Sequence, residues 1–186
     1  MDIKDISNIC NQFIPKKMQW RCILSDELPN YQTPDIKKNE ILIINTLTAR
    51  DGNVMGHWVL IYRTHKELFY FDSFGLNIKS YNSYIYNYFD YYKKKLKRIT
   101  WKVQVQDVNT LCCGLHIIFV IYKIIQCNNV NIAVRKLREI YHHKNFIKND
   151  KLVTRFLFSR FKNIKTCPRM LCDEVARNIC QEICFQ

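Results

Sequence analysis

The sequence predicts an α+β fold in which a mixed central β-sheet packs against helices and one buried helix carries the chemistry. Three observations predict it. Residues 57–63 and 67–72 are strand-like runs on either side of a tight turn at Thr64 to Lys66. Residues 40–46 form a continuous apolar run, the pattern of a strand buried on both faces. Residues 115–125 form an apolar run broken by Lys123, long enough for a buried helix and too short to span a membrane. At 186 residues, with 48% hydrophobic residues and only four Gly and four Pro, the chain can bury a core as a single domain, 1–186.

Along the chain, residues 2–13 predict a short helix with Ile3, Ile6, Ile9 and Phe13 on one side. Pro15, Pro29 and Pro34 then break any long element, and Trp20 is expected at the core edge. The loop at 47–56, with Gly52 and Gly56, suits a mobile rim. If the two strands after it pair as a hairpin, Arg63 meets Lys66 or Glu67, and His57 falls opposite Asp72 or Ser73. A carboxylate beside an imidazole fixes its tautomer and stabilises the imidazolium, the third-member role of a catalytic triad. Ser73-Phe-Gly is a turn. Residues 81–98 follow as a helix, apolar at 81, 85, 88, 92 and 96, with six tyrosines and a closing run of Lys93, Lys94, Lys95, Lys97 and Arg98. Basic residues among aromatics can stack or contact nucleic acid. The plainer reading is core and rim tyrosines with lysines solvated at a helix C-terminus.

Residues 101–106 alternate as a strand, Val103 and Val105 against Gln104 and Gln106. Asn109 or Thr110 is the expected N-cap, which sets Cys112 and Cys113 in the first helical turn. A helix N-terminus favours the thiolate, the nucleophilic form. Gly114 would let a substrate backbone approach and leave the sulfur uncovered. Gln106 could return as an oxyanion donor beside the Cys113 N–H. The competing reading is a buried helix with two inert cysteines. His116, three residues after Cys113, is a rival base to His57; it is expected to be packing, because a helix offers it no neighbouring carboxylate.

Residues 131–141 predict a helix, and 150–161 a further segment. The stretch 131–170 holds eleven Lys or Arg against two acids, the densest part of a net charge of +13, which points to an acidic partner, nucleic acid first. Residues 170–185 place Leu171, Val175, Ile179 and Ile183 four apart, an amphipathic helix. Cys167, Cys172, Cys180 and Cys184, with His142 and His143, invite a zinc reading, but no spacing gives the paired CxxC of structural zinc sites. The start, Met1-Asp-Ile-Lys-Asp, lacks the basic and apolar regions of a secretory signal, so the nine cysteines read as mostly reduced thiols in a cytosol-like compartment.

The order His57, Asp72, Gln106, Cys113 resembles the adenovirus protease (adenain) family and, more distantly, the SUMO-deconjugating cysteine proteases of the same clan. His57-Trp58 is similar to that family's His-Trp at a strand start. Asp72-Ser-Phe-Gly75 is similar to its acidic-x-Phe-Gly, with Asp where adenain has Glu. Gln106 to Gly114 is similar to its Gln and Cys-Gly block at adenain's longer spacing, and Ile44-Asn45-Thr46 also matches. The resemblance runs from about residue 41 to 125 and extends to maturation proteases of virophages and Polinton-type elements. No cysteine between Cys22 and Cys112 corresponds to the one through which adenain bonds an activating peptide.

The resemblance implies a cysteine endopeptidase that processes viral capsid or precursor proteins during virion maturation, in the virion and the host cytoplasm or nucleus. It implies Cys113 as nucleophile, His57 as base, Asp72 as orienting acid and Gln106 as oxyanion donor, with no metal and no cofactor required for the chemistry. DNA, bound without sequence preference, is a candidate activator; no membrane partner is expected, and the protein is expected to be a monomer. Three alternatives stay open: a protease for ubiquitin-like tags, a same-clan acyltransferase, and a non-enzymatic nucleic-acid or zinc-binding protein.

Overall fold

The computed structural model describes residues 1–33, 39–52, 56–92 and 95–161. Its α-helices are α1 (Ile3–Phe13), α2 (Ser83–Tyr92), α3 (Cys113–Cys127), α4 (Val130–Ile140) and α5 (Phe146–Arg160). Its strands are β1 (Gln19–Leu24), β2 (Glu40–Asn45), β3 (Trp58–Arg63), β4 (Glu67–Phe71) and β5 (Lys97–Thr100). The fold is α+β. The chain divides into two compact units: Ile14–Val103, which holds the sheet and α2, and Met1–Phe13 together with the chain from Gln104, which holds the other helices.

In the first unit the strands lie in the order β1-β2-β3-β4-β5. The outer pairs, β1/β2 and β4/β5, are parallel; β2/β3 and β3/β4 are antiparallel, so the sheet is mixed as expected. Strand β2 is buried on both faces, which is why it reads as an unbroken apolar run rather than an alternating one. One face, with Leu42, Ile44, Val59, Ile61 and Tyr70, packs with Ile85, Tyr88, Phe89 and Tyr92 of α2. Asn82 opens α2: its side-chain oxygen accepts from the Ile85 N–H while its amide donates to Ser25 Oγ and the Thr46 carbonyl. Glu40 and Arg63 face each other across β2 and β3 and form a buried ion pair at 2.7 Å, with Tyr92 also bound to Arg63.

Three local expectations change. Strand β1 forms where irregular chain was expected: Arg21 and Gln19 face solvent while Ile23 is buried, and its parallel partner β2 is distant in sequence. The helix expected over 81–98 is shorter, ending at Tyr92, and Lys97–Thr100 pairs instead with β4. The strand expected over 101–106 is absent. Trp101 donates its indole N–H to the Val103 carbonyl at 2.6 Å, which bends the chain out of the ladder just after β5.

In the helical unit, α1 buries Ile6, Ile9 and Cys10 and leaves Ile3 exposed. Helix α3 is buried along most of its length, and it stops at Asn128, whose left-handed conformation (φ 47°) closes the helix. Asn129 and Asn145 cap α4 and α5 with side-chain bonds to Ile132 and Lys148 N–H. Phe13 of α1 packs on Tyr122 and Phe161 with ring centroids 5.7 and 5.4 Å apart. No helix among the described residues is long and apolar enough to cross a membrane. The predicted helix at 170–185, the cysteines from Cys167 onward, and Lys93 and Lys94 lie outside the described residues.

Candidate functional site

The hairpin brings His57 and Asp72 together, though not by the expected register. Thr64 N–H donates to the Glu67 carbonyl, so Thr64 closes the ladder and only His65 and Lys66 form the loop. Arg63 therefore pairs with Leu68, not with Lys66 or Glu67. Continued past its last pair, Leu60 with Phe71, that register sets His57 across from Phe74 and makes Asp72 its diagonal neighbour on the same face. His57 Nε2 lies 2.7 Å from Asp72 Oδ1.

The surroundings of this pair define its chemistry. Asp72 is fully buried and surrounded by donors: the Phe74 N–H at 2.9 Å on Oδ1, and the Leu76 N–H at 3.0 Å and the Tyr81 hydroxyl at 2.8 Å on Oδ2. The turn that supplies the two amides closes with Gly75 N–H to the Asp72 carbonyl, and Gly75 takes φ 68°, the left-handed region that favours glycine. An acceptor-only carboxylate obliges Nε2 to carry the imidazole proton, which makes Nδ1 the basic nitrogen of the neutral ring. The His57 side chain is 15% exposed and stacks on Phe74 at 4.6 Å. Its backbone extends the β2/β3 pairing: Thr46 N–H donates to the His57 carbonyl at 2.8 Å. Gly56 precedes it because a Cβ there would lie 1.9 Å from Asn45 Oδ1.

In the helical unit, α3 begins two residues later than Thr110 capping would give, and three later than Asn109 capping. Cys112 is the N-cap, with no side-chain cap bond, and Cys113 is the first helical residue. The two thiols differ. Cys112 is 2% exposed, and its pKa is pushed up to about 12 by burial first and then by the negative charge of Asp150, a rise that a hydrogen bond with Thr110 only partly opposes. It stays protonated at neutral pH. Cys113 sits where the N-terminal amides of α3 point, but its sulfur is not open as expected: the residue is 7% exposed. The Met1 side chain lies over Gly114, with Sδ 2.9 Å from where a Cβ would be. Gln106 is fully buried, and its Nε2 donates to the Thr110 carbonyl at 2.7 Å.

His116 is buried, as expected, but for a different reason. It does have a carboxylate: Nε2 lies 2.7 Å from Asp150 Oδ1, and Nδ1 lies 3.0 Å from the Tyr141 hydroxyl. With both ring nitrogens engaged and no exposure, it has no nitrogen left to take a proton from a neighbouring thiol. The sequence reads Tyr81 as part of a helical stripe and Phe74 as part of a turn, and nothing in it marks these two or Asp150 as partners of the site residues. Among the described residues no group of three or more His, Cys, Asp or Glu side chains is arranged to hold a metal ion. A scan against protein-family models finds no match, and no curated protein matches this chain.

Proposed function

We propose that the chain is a cysteine endopeptidase in which Cys113 is the nucleophile, His57 the base, Asp72 its orienting partner and Gln106 an oxyanion donor. The observation that carries the reading is the His57–Asp72 pair. A partly exposed imidazole held through Nε2 by a buried carboxylate with three further donors is built to accept a proton at Nδ1 and hold it. The raised pKa of Cys112 and the position of Cys113 at the start of α3 favour Cys113 over Cys112 as the nucleophile. In the reaction the Cys113 proton passes to His57 and the sulfur attacks the scissile carbonyl. The C–N bond then breaks as His57 returns the proton to the leaving amine, and water hydrolyses the thioester by the same base. Developing negative charge on the carbonyl oxygen is met by the Cys113 N–H and Gln106 Nε2.

The resemblance to adenain-like proteases supports viral capsid or precursor proteins as substrates, acting as a monomer in the virion and the host cytoplasm or nucleus. The net charge of +13 supports non-specific DNA binding with DNA as activator. A cleft of about 940 Å³ in the sheet unit, lined by Lys79, Arg98 and Lys102 with Tyr86 and a single acid, Asp90, fits phosphate contact. The test is co-expression with candidate structural proteins and mass mapping of new termini. Cleavage that disappears in Cys113→Ala and falls on the order of 10² or more in His57→Ala is the expected result. Termini that persist in Cys113→Ala would remove the assignment.

A further inference from the structure

Gln106 lies in a stretch, residues 101 to 112, that has no strand or helix to hold it, yet its side chain is fully buried and aimed. Two adjacent residues of α5 hold it. Asn149 donates from Nδ2 to the Val105 carbonyl at 2.9 Å and to the His142 carbonyl at 2.9 Å, and its Oδ1 accepts the His142 N–H at 2.7 Å. Asp150 Oδ2 accepts the Thr110 hydroxyl at 2.7 Å and the Asp107 N–H at 3.3 Å, while Oδ1 bonds His116 Nε2. The residues gripped on either side, Val105 and Asp107, bracket Gln106. The third, Thr110, presents the carbonyl to which the Gln106 amide donates.

Asn149, Asp150 and His116 are all fully buried. A polar cluster at that depth costs stability unless each member is bonded, and this one is bonded to the chain that leads into Cys113. We infer that Asn149 and Asp150 are positioning residues that fix Gln106, with Thr110 as the link and His116 holding the second Asp150 oxygen. This rests on the reading in which Gln106 stabilises an oxyanion. A donor stabilises such charge only when it is held in place beforehand, and here no backbone ladder does so.

Thr110→Val is the test, because it removes the hydroxyl but leaves the Thr110 carbonyl for Gln106 and the His116 partner for Asp150. Two probes separate alignment from thiol chemistry. Hydrolysis of p-nitrophenyl acetate, corrected with Cys113→Ala, passes through an oxyanion; alkylation of Cys113 by iodoacetamide does not. The expected result is a fall in kcat of ~10-fold or more with KM little changed, against ~10²-fold for Gln106→Ala. Alkylation of Cys113 should be unchanged, and Thr110→Ser should restore kcat. A Thr110→Val enzyme with wild-type kcat beside an impaired Gln106→Ala would overturn the inference and leave the proposed function standing. Alkylation that falls in step with kcat would also overturn it, by locating the defect at the thiol. If Gln106→Ala turns over the ester like wild type, the proposed oxyanion role fails and takes the inference with it.

Discussion

Cys112 and Cys113 are adjacent thiols with opposite expected reactivities, and Cys113→Ser isolates the inert one. Burial and the Asp150 charge raise the Cys112 pKa from 9.0 to about 12. That rise reduces the thiolate fraction near pH 8 by ~10³. A more basic thiolate is also a better nucleophile, and a Brønsted slope of ~0.4–0.5 returns ~20–30-fold of that loss. Cys112 should therefore react with iodoacetamide ~30–60-fold more slowly than an unperturbed thiol, before its 2% exposure is counted. The rate should climb with pH well beyond 9. Quantifying the alkylated peptide by mass spectrometry from pH 7 to 10, beside N-acetylcysteine, reads both quantities. The same shift affects stability. Above the ordinary thiol pKa the unfolded chain loses this proton while the folded chain keeps it, so stability declines as pH rises from about 9 toward 12. Tyr70 and Tyr88, also raised by burial, add to that alkaline limb. A Cys112 rate equal to the free thiol, with a plateau near pH 9, would refute the reasoning and reopen Cys112 as the nucleophile.

Asp72→Asn turns one oxygen into an amide that faces two donors, so it should cost about 2–3 kcal/mol in urea denaturation while leaving measurable ester turnover. Unchanged stability would contradict the four-donor account. His116→Phe removes the donor on Oδ1 of the fully buried Asp150 and should cost about 1–3 kcal/mol. The folded protein should keep its Cys113 alkylation rate, and loss of alkylation without loss of stability would return His116 to the chemistry. For DNA, affinity for duplexes should fall in log units by ~0.9 per neutralised phosphate for each log unit of salt, depend on length more than sequence, and accompany faster capsid cleavage. Replacing Lys79, Arg98 and Lys102 with Ala should flatten the salt slope, and no binding at low salt would end the proposal.

Where the fold was legible in the sequence, a period or an apolar run carried it. The runs that became β2, β3 and α3 announce themselves because both faces of the strands, or the whole girth of the helix, are buried. Strand β1 has no such signal: its pairing partner β2 lies beyond a 3₁₀ turn and Pro29, and its edge position lets Gln19 and Arg21 remain polar. A three-residue turn at Thr64 to Lys66 predicts a different register, because Thr64 itself belongs to the ladder. A shift of that kind would be expected to separate two side chains. His57 and Asp72 still meet because both lie past the last ladder pair on the same face, where a diagonal neighbour is within reach of an imidazole.

The candidate site was half legible for a related reason. Its own residues are chemically conspicuous: a His before a strand, an Asp after one, a Gln, a Cys before Gly. What holds them is not. Tyr81 donates to Asp72 across nine residues, Asp150 accepts from Thr110 across forty, and Asn149 captures the Val105 carbonyl across forty-four. Asn149 on the Val105 carbonyl, and Asp150 on the Asp107 N–H, replace backbone partners that a strand would have supplied. Residues 101 to 112 show the exchange most plainly: the alternation of Val103 and Val105 predicts a ladder, and the Val105 carbonyl is instead bonded by Asn149. A sequence read by period assigns backbone bonds to backbone. In this chain the segment leading to the proposed nucleophile is held by buried side chains, so its order depends on a few polar residues of α5 that no periodicity marks.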